Sequence, residues 1–491
     1  MECVQPPAAG VGGLPVMRSF VLLVFAVAAG VLMSLVVSLA DPAAILVVAI
    51  AGLVVAPLLA RAGQHRFDIF EPIVWANAAL FVMFVIRPVA HWAYDSYLWR
   101  GYDIGQALGG GLAVAAAGTA AIQFGYVIPT GRSIAARLPS VSTEFGHLDA
   151  ALTYSLGFAV VGIVATVAFP KVALNASAYL YYLPMLVIPG ALLLLAIGLR
   201  TRSPMAMLVA VLAVSGGFLD FGISGERAWL LALVAPALVY GLYLRRGARP
   251  RLVTVLLLLL ISFPFLSAAR DLHYGDSLAD LVGATGSATI SAPETVREFV
   301  LGPDTEMLDG LSLEVQAIPR VLPYHPGNSL MSLIAQPIPR ALWPDKPRQA
   351  DDLLNEFFFG DVGYSVGNAG VAYSLFGGLF YDSGLLGVLL GGLACGFLLR
   401  ISWEWYGRHA GSPVATLVLA TMLPFVVILL RGNTQDTLSR ALFVIVPLLV
   451  VGFISHAAAR PRRTLVDNVG APSLPALTSA SQLTIMTEGS R

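Results

Sequence analysis

Residues 413–430 read PVATLVLATMLPFVVILL, eighteen positions without one ionisable side chain. As an α-helix rising 1.5 Å per residue the run is roughly 27 Å long, close to the ~30 Å hydrocarbon core of a bilayer. Comparable apolar runs recur outward from it in both directions. Apolar residues are 57% of the 491 and charged residues 12%, with a mean hydropathy of +0.80. A soluble domain carries about 25% charged residues, so most of this surface is not built for water. The runs are continuous rather than alternating, which excludes a transmembrane barrel. In lipid the backbone must satisfy itself, and a helix is then the remaining solution. The expected fold is all-α: a polytopic membrane helical bundle.

The pattern predicts twelve spans, at residues 20–39, 44–60, 69–86, 104–127, 150–169, 180–199, 204–221, 228–244, 252–269, 384–399, 413–430 and 441–458. Ser38-Leu39-Ala40 resembles a signal-cleavage site, but the apolar stretch before it exceeds the core of a typical signal peptide and reads as a first span. The short loops divide into one set with sixteen Lys/Arg and an opposite set with six. The positive-inside bias therefore places both termini in the cytoplasm, and the expected location is the cytoplasmic (inner) membrane, crossed many times. Residues 366–380 are apolar enough for a further span, but that would turn Arg400 and Arg408 outward. They are expected to stay outside the cytoplasm as a re-entrant or interfacial piece, rich in glycine, with Tyr373 and Tyr381.

The resulting organisation is a cytoplasmic tail (1–19), nine spans (20–269), one large extracytoplasmic loop with a re-entrant end (270–383), three spans (384–458) and a disordered tail (459–491). Short helices are expected at 310–322 and 330–336, punctuated by prolines. Trp92, Trp99, Tyr179, Tyr181 and Tyr182 are expected to form an outer aromatic belt. Cys3 and Cys395 lie in the tail and in a span, which supports neither a disulfide framework nor a zinc site. The zero net charge gives no reason to expect nucleic acid as a partner.

Four arginines stand against the charge bias at the outer rim: Arg227, Arg270, Arg340 and Arg431. A guanidinium there suits bidentate phosphate binding. The competing reading is a snorkelling anchor, or a pair with Glu226 or Asp220. The loop's densest motif is His325-Pro326-Gly327-Asn328-Ser329, followed by IPRALWPDKP at 338–347 and Arg348. Prolines around an Arg, a Trp and a Lys fix the backbone and present cations beside an aromatic face. That suits an anionic head group carrying sugar; a structural loop anchored by Trp343 is the alternative.

The stretch IPRALWPDKP, with HPGNSL before it and SLFGGLFYDSGLLGVLLGG (374–392) after it, resembles the Wzy-type O-antigen and exopolysaccharide repeat-unit polymerases. That family shows "IPR-x-LWP-x-KP", a "GE-x-Y-x-NFG-x-xG" stretch before the next span, and "SG-x-R" at a span end. The direct matches are Arg227, Arg340, Trp343, Lys346 and Gly384; Arg270 and Arg431 occupy similar positions. Where the family has the Glu of "GE", this chain has Gly378, and Asp382 is the acid that could replace it.

The resemblance implies a GT-C-like bundle and a transferase that extends a glycan on undecaprenyl diphosphate, with a second lipid-linked repeat unit as acceptor. Membrane lipids, a chain-length regulator and a flippase would be its partners. It implies no cofactor and no metal, because arginines and Lys346 would stabilise the departing diphosphate. The candidate substrate-binding residues are Arg227, Arg270, Arg340, Trp343, Lys346, Arg348, Tyr373 and Arg431. The candidate catalytic residues are His325, Glu226 and Asp382, with His325 first as the base that attack by a hydroxyl requires; His273, His91 and Asp345 are other outward bases. Two alternatives stand beside it: an O-antigen ligase-like enzyme, which should carry a ligase-type histidine motif, and a transporter or flippase of lipid-linked glycans. A transporter predicts charge buried in the spans. The spans here carry almost none.

Overall fold

The computed structural model describes residues 41–64, 67–141, 148–168, 180–223, 227–246, 292–336, 338, 342–360, 371–432 and 434–459. These residues are mostly helical, and among them eight helices are long and apolar enough to cross a membrane. They are α1 (Pro42–Gly63); α2 (Pro72–Phe81), continuing through a π-turn into α3 (Arg87–Tyr94); α4 (Leu108–Val127); α6 (Leu148–Ala168); α7 (Val187–Thr201, preceded by a 3₁₀ turn); α14 (Ser374–Arg408); α15 (Pro413–Arg431); and α16 (Thr434–Ala459). Short α5 (Thr130–Ala135) follows α4. Twelve spans were expected, and eight such helices are found among the described residues. Helices α8 (Pro204–Ile223) and α9 (Arg227–Leu238) present only shorter apolar stretches, Pro204–Ser215 and Ala232–Tyr243. The expected spans at 20–39 and 252–269 lie outside the described residues.

Local chemistry sets the helix starts. Pro42 and Pro413 occupy first-turn positions where a missing N–H costs nothing. Asp41 caps the Ala43 amide at 2.9 Å and Ser412 the Ala415 amide at 3.4 Å.

The bundle centre is the crossing of α4 with α14. At Gly396 a Cβ would lie 2.0 Å from the Ile122 carbonyl oxygen, and at Gly125 one would lie 2.1 Å from that of Leu393. Only hydrogen fits between these backbones. The two helices run parallel, so their C-terminal ends share one end of the bundle. There Arg132 pairs with Glu404 at 3.0 Å, Arg400 pairs with the same carboxylate, and Arg61 reaches Glu71 at 3.1 Å. Arg87, Arg100, Arg431 and Arg440 lie at the other end, each with an acid. These members of the two charge sets separated by loop counting are thus separated in space.

Helix α14 is two arms. Ser383 (φ −150°, ψ 25°) and Gly384 (φ 62°, ψ −146°) break it where the loop was expected to meet a span. The short arm folds back on the long one, since a Cβ at Gly391 would strike the Leu379 side chain at 2.4 Å. A straight helix would hold residues twelve apart at roughly 18 Å. Ser374–Asp382 is therefore a half-helix hairpinned onto the long arm, a helix where irregular backbone was expected over 366–380; residues 361–370 lie outside the described set.

The large loop contributes α10 (Ala292–Leu301), α11 (Met307–Ala317), α12 (Asn328–Ala335) and α13 (Ala350–Phe359). Sequence reading placed α11 three residues late and missed α10 and α13. A two-stranded turn, β1 (Leu98–Trp99) with β2 (Tyr102–Asp103), meets the loop where Tyr102 donates to the Phe358 carbonyl at 2.6 Å. Arg87, 2% exposed, clamps bundle to loop. It pairs with Asp309 and donates to Val300 O (3.0 Å), Gly302 O (3.2 Å) and Thr305 Oγ1 (3.1 Å). The expected aromatic belt needs correction. Trp99 and Tyr182 are buried, Trp99 donating to Glu306 and Tyr182 to Asp436. Loop residues cover Trp99, and α16 with Gln336 covers Tyr182, so their polar tips bond to protein.

Candidate functional site

The His-Pro-Gly-Asn-Ser turn is built around Gly327, whose φ of 76° is left-handed and favours glycine. The Asn328 amide closes the turn on the His325 carbonyl at 3.0 Å, and α12 starts from it. The turn docks on the end of the half-helix. The His325 amide donates to the Tyr381 carbonyl at 3.1 Å, and the imidazole stacks on the Tyr381 ring at 4.8 Å. One residue further, Asp382 accepts from the Ser329 amide and hydroxyl, both at 3.1 Å to Oδ1. The Asp382 carboxylate also interacts electrostatically with His325. Two candidate catalytic residues therefore meet across this seam, His325 exposed and Asp382 buried. Among the described residues neither ring nitrogen of His325 makes a hydrogen bond, which leaves the imidazole available as a base.

The proline-rich segment is tied to the same turn. Asn328 Nδ2 donates to the Arg348 carbonyl at 2.9 Å, and the Arg348 guanidinium pairs with Glu356 at 2.5 Å. Lys346 is placed differently from the expectation of a phosphate ligand. It is buried, and its ammonium donates to the Ile338 carbonyl at 3.1 Å and the Gln336 carbonyl at 3.5 Å. Its charge stabilises the exit from α12. Trp343 is half-buried.

Arg431 ends α15 beside the loop, pairing with Asp304 at 3.3 Å while staying 43% exposed. Gly432 follows at φ 133° and lies against the backbone that starts the half-helix, so Arg431 and the half-helix share a rim. Tyr373 is fully buried, packed on Gly310, and its hydroxyl meets no partner among the described residues. Burial and the nearby Glu314 raise its pKa. Arg227 begins α9, and its side chain is outside the described set; Glu226, Arg270 and Arg340 also lie outside it.

Sequence reading missed Glu314. It is fully buried on α11, within van der Waals reach of Gly377 on the half-helix. Neither carboxyl oxygen reaches a full hydrogen bond, and the Tyr381 amide gives only weak support. Burial pushes its pKa well above the usual carboxylate range, and the charges of Asp351 and Asp382 add to the shift. The signal in the sequence was an acid flanked by Leu313 and Val315 in a helical stretch. His91, the other outward base, is buried and engaged: Nε2 contacts Asp309 at 2.8 Å and Nδ1 faces the Ser96 carbonyl. It lines a cleft of about 290 Å³ with Arg87, Trp99, Arg100 and Glu306, whose polar groups already satisfy one another.

No family model, curated protein or solved structure matches this chain.

Proposed function

We propose that the protein is an integral-membrane glycosyltransferase that polymerises polyprenyl-diphosphate-linked oligosaccharide repeat units into a surface polysaccharide. The observation that carries this reading is the seam between the His325–Ser329 turn and Tyr381-Asp382. Two segments marked by the motif resemblance meet there, the exposed His325 imidazole stacked on Tyr381 and the buried Asp382 carboxylate bonded to Ser329. In the proposed reaction the acceptor hydroxyl attacks the anomeric carbon of the donor glycan. His325 takes the hydroxyl proton, and Asp382 favours the imidazolium that forms. The bond to the diphosphate oxygen breaks, and rim arginines, Arg431 among them, neutralise the departing charge. Such arginines belong at a span end, because lipid phosphates sit at head-group depth.

The test is the glycan ladder of cells carrying Arg340→Ala or Arg431→Ala. The expected result is loss of polymer while the protein still reaches the membrane. Normal ladders from both variants would remove diphosphate binding from the account.

A further inference from the structure

Helix α12 turns its polar and small side to the protein and its apolar side away. Ser332 and Ala335 are buried, whereas Leu330 (60%), Met331 (48%) and Ile334 (60%) are exposed. Ile338 and Leu342 (79% exposed) follow the helix in the chain, and Val321 (68%) precedes it. Isolated exposed apolar side chains are ordinary, but a contiguous group on one short segment marks an interaction surface.

The surroundings identify the occupant. Helix α12 packs against α16 and α14. The outward rows of these spans are themselves apolar and exposed: Leu385 and Leu386 at the start of α14's long arm, Leu442 and Val446 on α16. Tyr324, just before the turn, lies against Gly384 at the top of the same arm. The apolar face of α12 thus continues the surface that the spans present to hydrocarbon. Tyr324 and Trp343 flank it in the chain, as amphipathic rings do at a bilayer interface.

We infer that α12 is an interfacial membrane anchor, its Leu330–Met331–Ile334 face and Leu342 immersed in the hydrocarbon edge of the leaflet at the loop end of the bundle. The occupant is lipid, whichever reaction the protein catalyses. Immersion on this side sets the height of the turn on the other, holding His325 and Asp382 at head-group depth.

The experiment places an environment-sensitive NBD label on Met331→Cys and Ile334→Cys, in full-length protein lacking Cys3 and Cys395. The protein is reconstituted in nanodiscs of phosphatidylethanolamine and phosphatidylglycerol, with or without bromine on the acyl chains. Leu386→Cys serves as the lipid-facing reference and exposed Asp345→Cys as the aqueous one. The expected result is bromolipid quenching at 331 and 334 close to that at 386 and severalfold above that at 345. Quenching by aqueous iodide with none by bromolipid would overturn the inference by placing the patch in water. Protection from both quenchers would overturn it as well, by placing the patch under protein.

Discussion

The imidazole of His325 lies 4.8 Å from the ring of Tyr381, nearly parallel to it, while its own backbone amide holds the Tyr381 carbonyl. Backbone and ring contacts together fix where the imidazole sits, and neither uses its nitrogens. His325→Ala is expected to lower polymerisation by about 10²–10⁴-fold, the usual span for a general base. The exposed position leaves folding intact. Tyr381→Phe keeps the stack and should stay near wild type, whereas Tyr381→Leu should fall between. Single-turnover rates on a lipid-linked repeat unit measure all three, and a near-wild-type rate for His325→Ala would remove it as base.

Arg431 separates charge chemistry from architecture. Its pair with Asp304 is partly exposed, and such pairs contribute about 0–1 kcal/mol. Arg431→Ala should therefore keep its thermal midpoint within a few degrees yet lose about 10²–10³-fold in activity, as removal of a charge-stabilising group does. Equal activity with an unchanged midpoint would assign the residue to the surface alone.

Glu314 gives a pH prediction. Its folded pKa lies above its unfolded value, so the folded protein favours the protonated acid. The stability it allows is fully present below the unfolded carboxylate range and is lost as pH rises towards the folded pKa. Glu314→Gln, a neutral isostere, should match wild type near pH 4.5 and become progressively more heat-stable than wild type from there to pH 8. Thermal midpoints across that range provide the check; a difference that shrinks with rising pH contradicts the reading of a buried neutral acid.

The Arg87–Asp309 clamp predicts a large and recoverable loss. Each partner is at most 2% exposed, so Arg87→Ala leaves the buried Asp309 carboxylate with His91 alone, a cost of about 3–5 kcal/mol. Arg87→Met with Asp309→Leu should recover much of it, giving a strong coupling energy in a double-mutant cycle. Additive losses would show that the clamp is not a unit.

Close helix approach predicts a contrast between glycines. Gly396→Ala drives a methyl into the Ile122 carbonyl and should abolish folded yield, while Gly52→Ala meets nothing within 4 Å and should be silent. Fluorescence-detected size exclusion distinguishes them.

The spans were legible because lipid demands apolar composition, which is a local property. Residues 413–430 differ from the observed Pro413–Arg431 by one position, and the break at Ser383–Gly384 fell at the expected loop boundary. Opposite charge sets at opposite ends were legible for the same reason. The buried polar groups were not. Arg87 and Asp309 are separated by 222 residues, and no local pattern marks one for the other. Lys346 reads as an exposed cation, but the backbone carbonyls that hold it inward are set by how α12 ends. Tyr182 and Trp99 carry a belt composition, and packing overrode it, the loop covering Trp99 and α16 with Gln336 covering Tyr182. His325 and Asp382 were legible as candidates, whereas their meeting depended on the folded-back half-helix.

The most direct test is to incubate the purified, reconstituted protein with a single lipid-linked repeat unit and resolve the products by chain length. The account predicts a ladder of polymer on the lipid carrier, with release of polyprenyl diphosphate, and its loss in His325→Ala. Unchanged repeat unit from active-folded wild type, or movement of the lipid across the bilayer without bond formation, would contradict it.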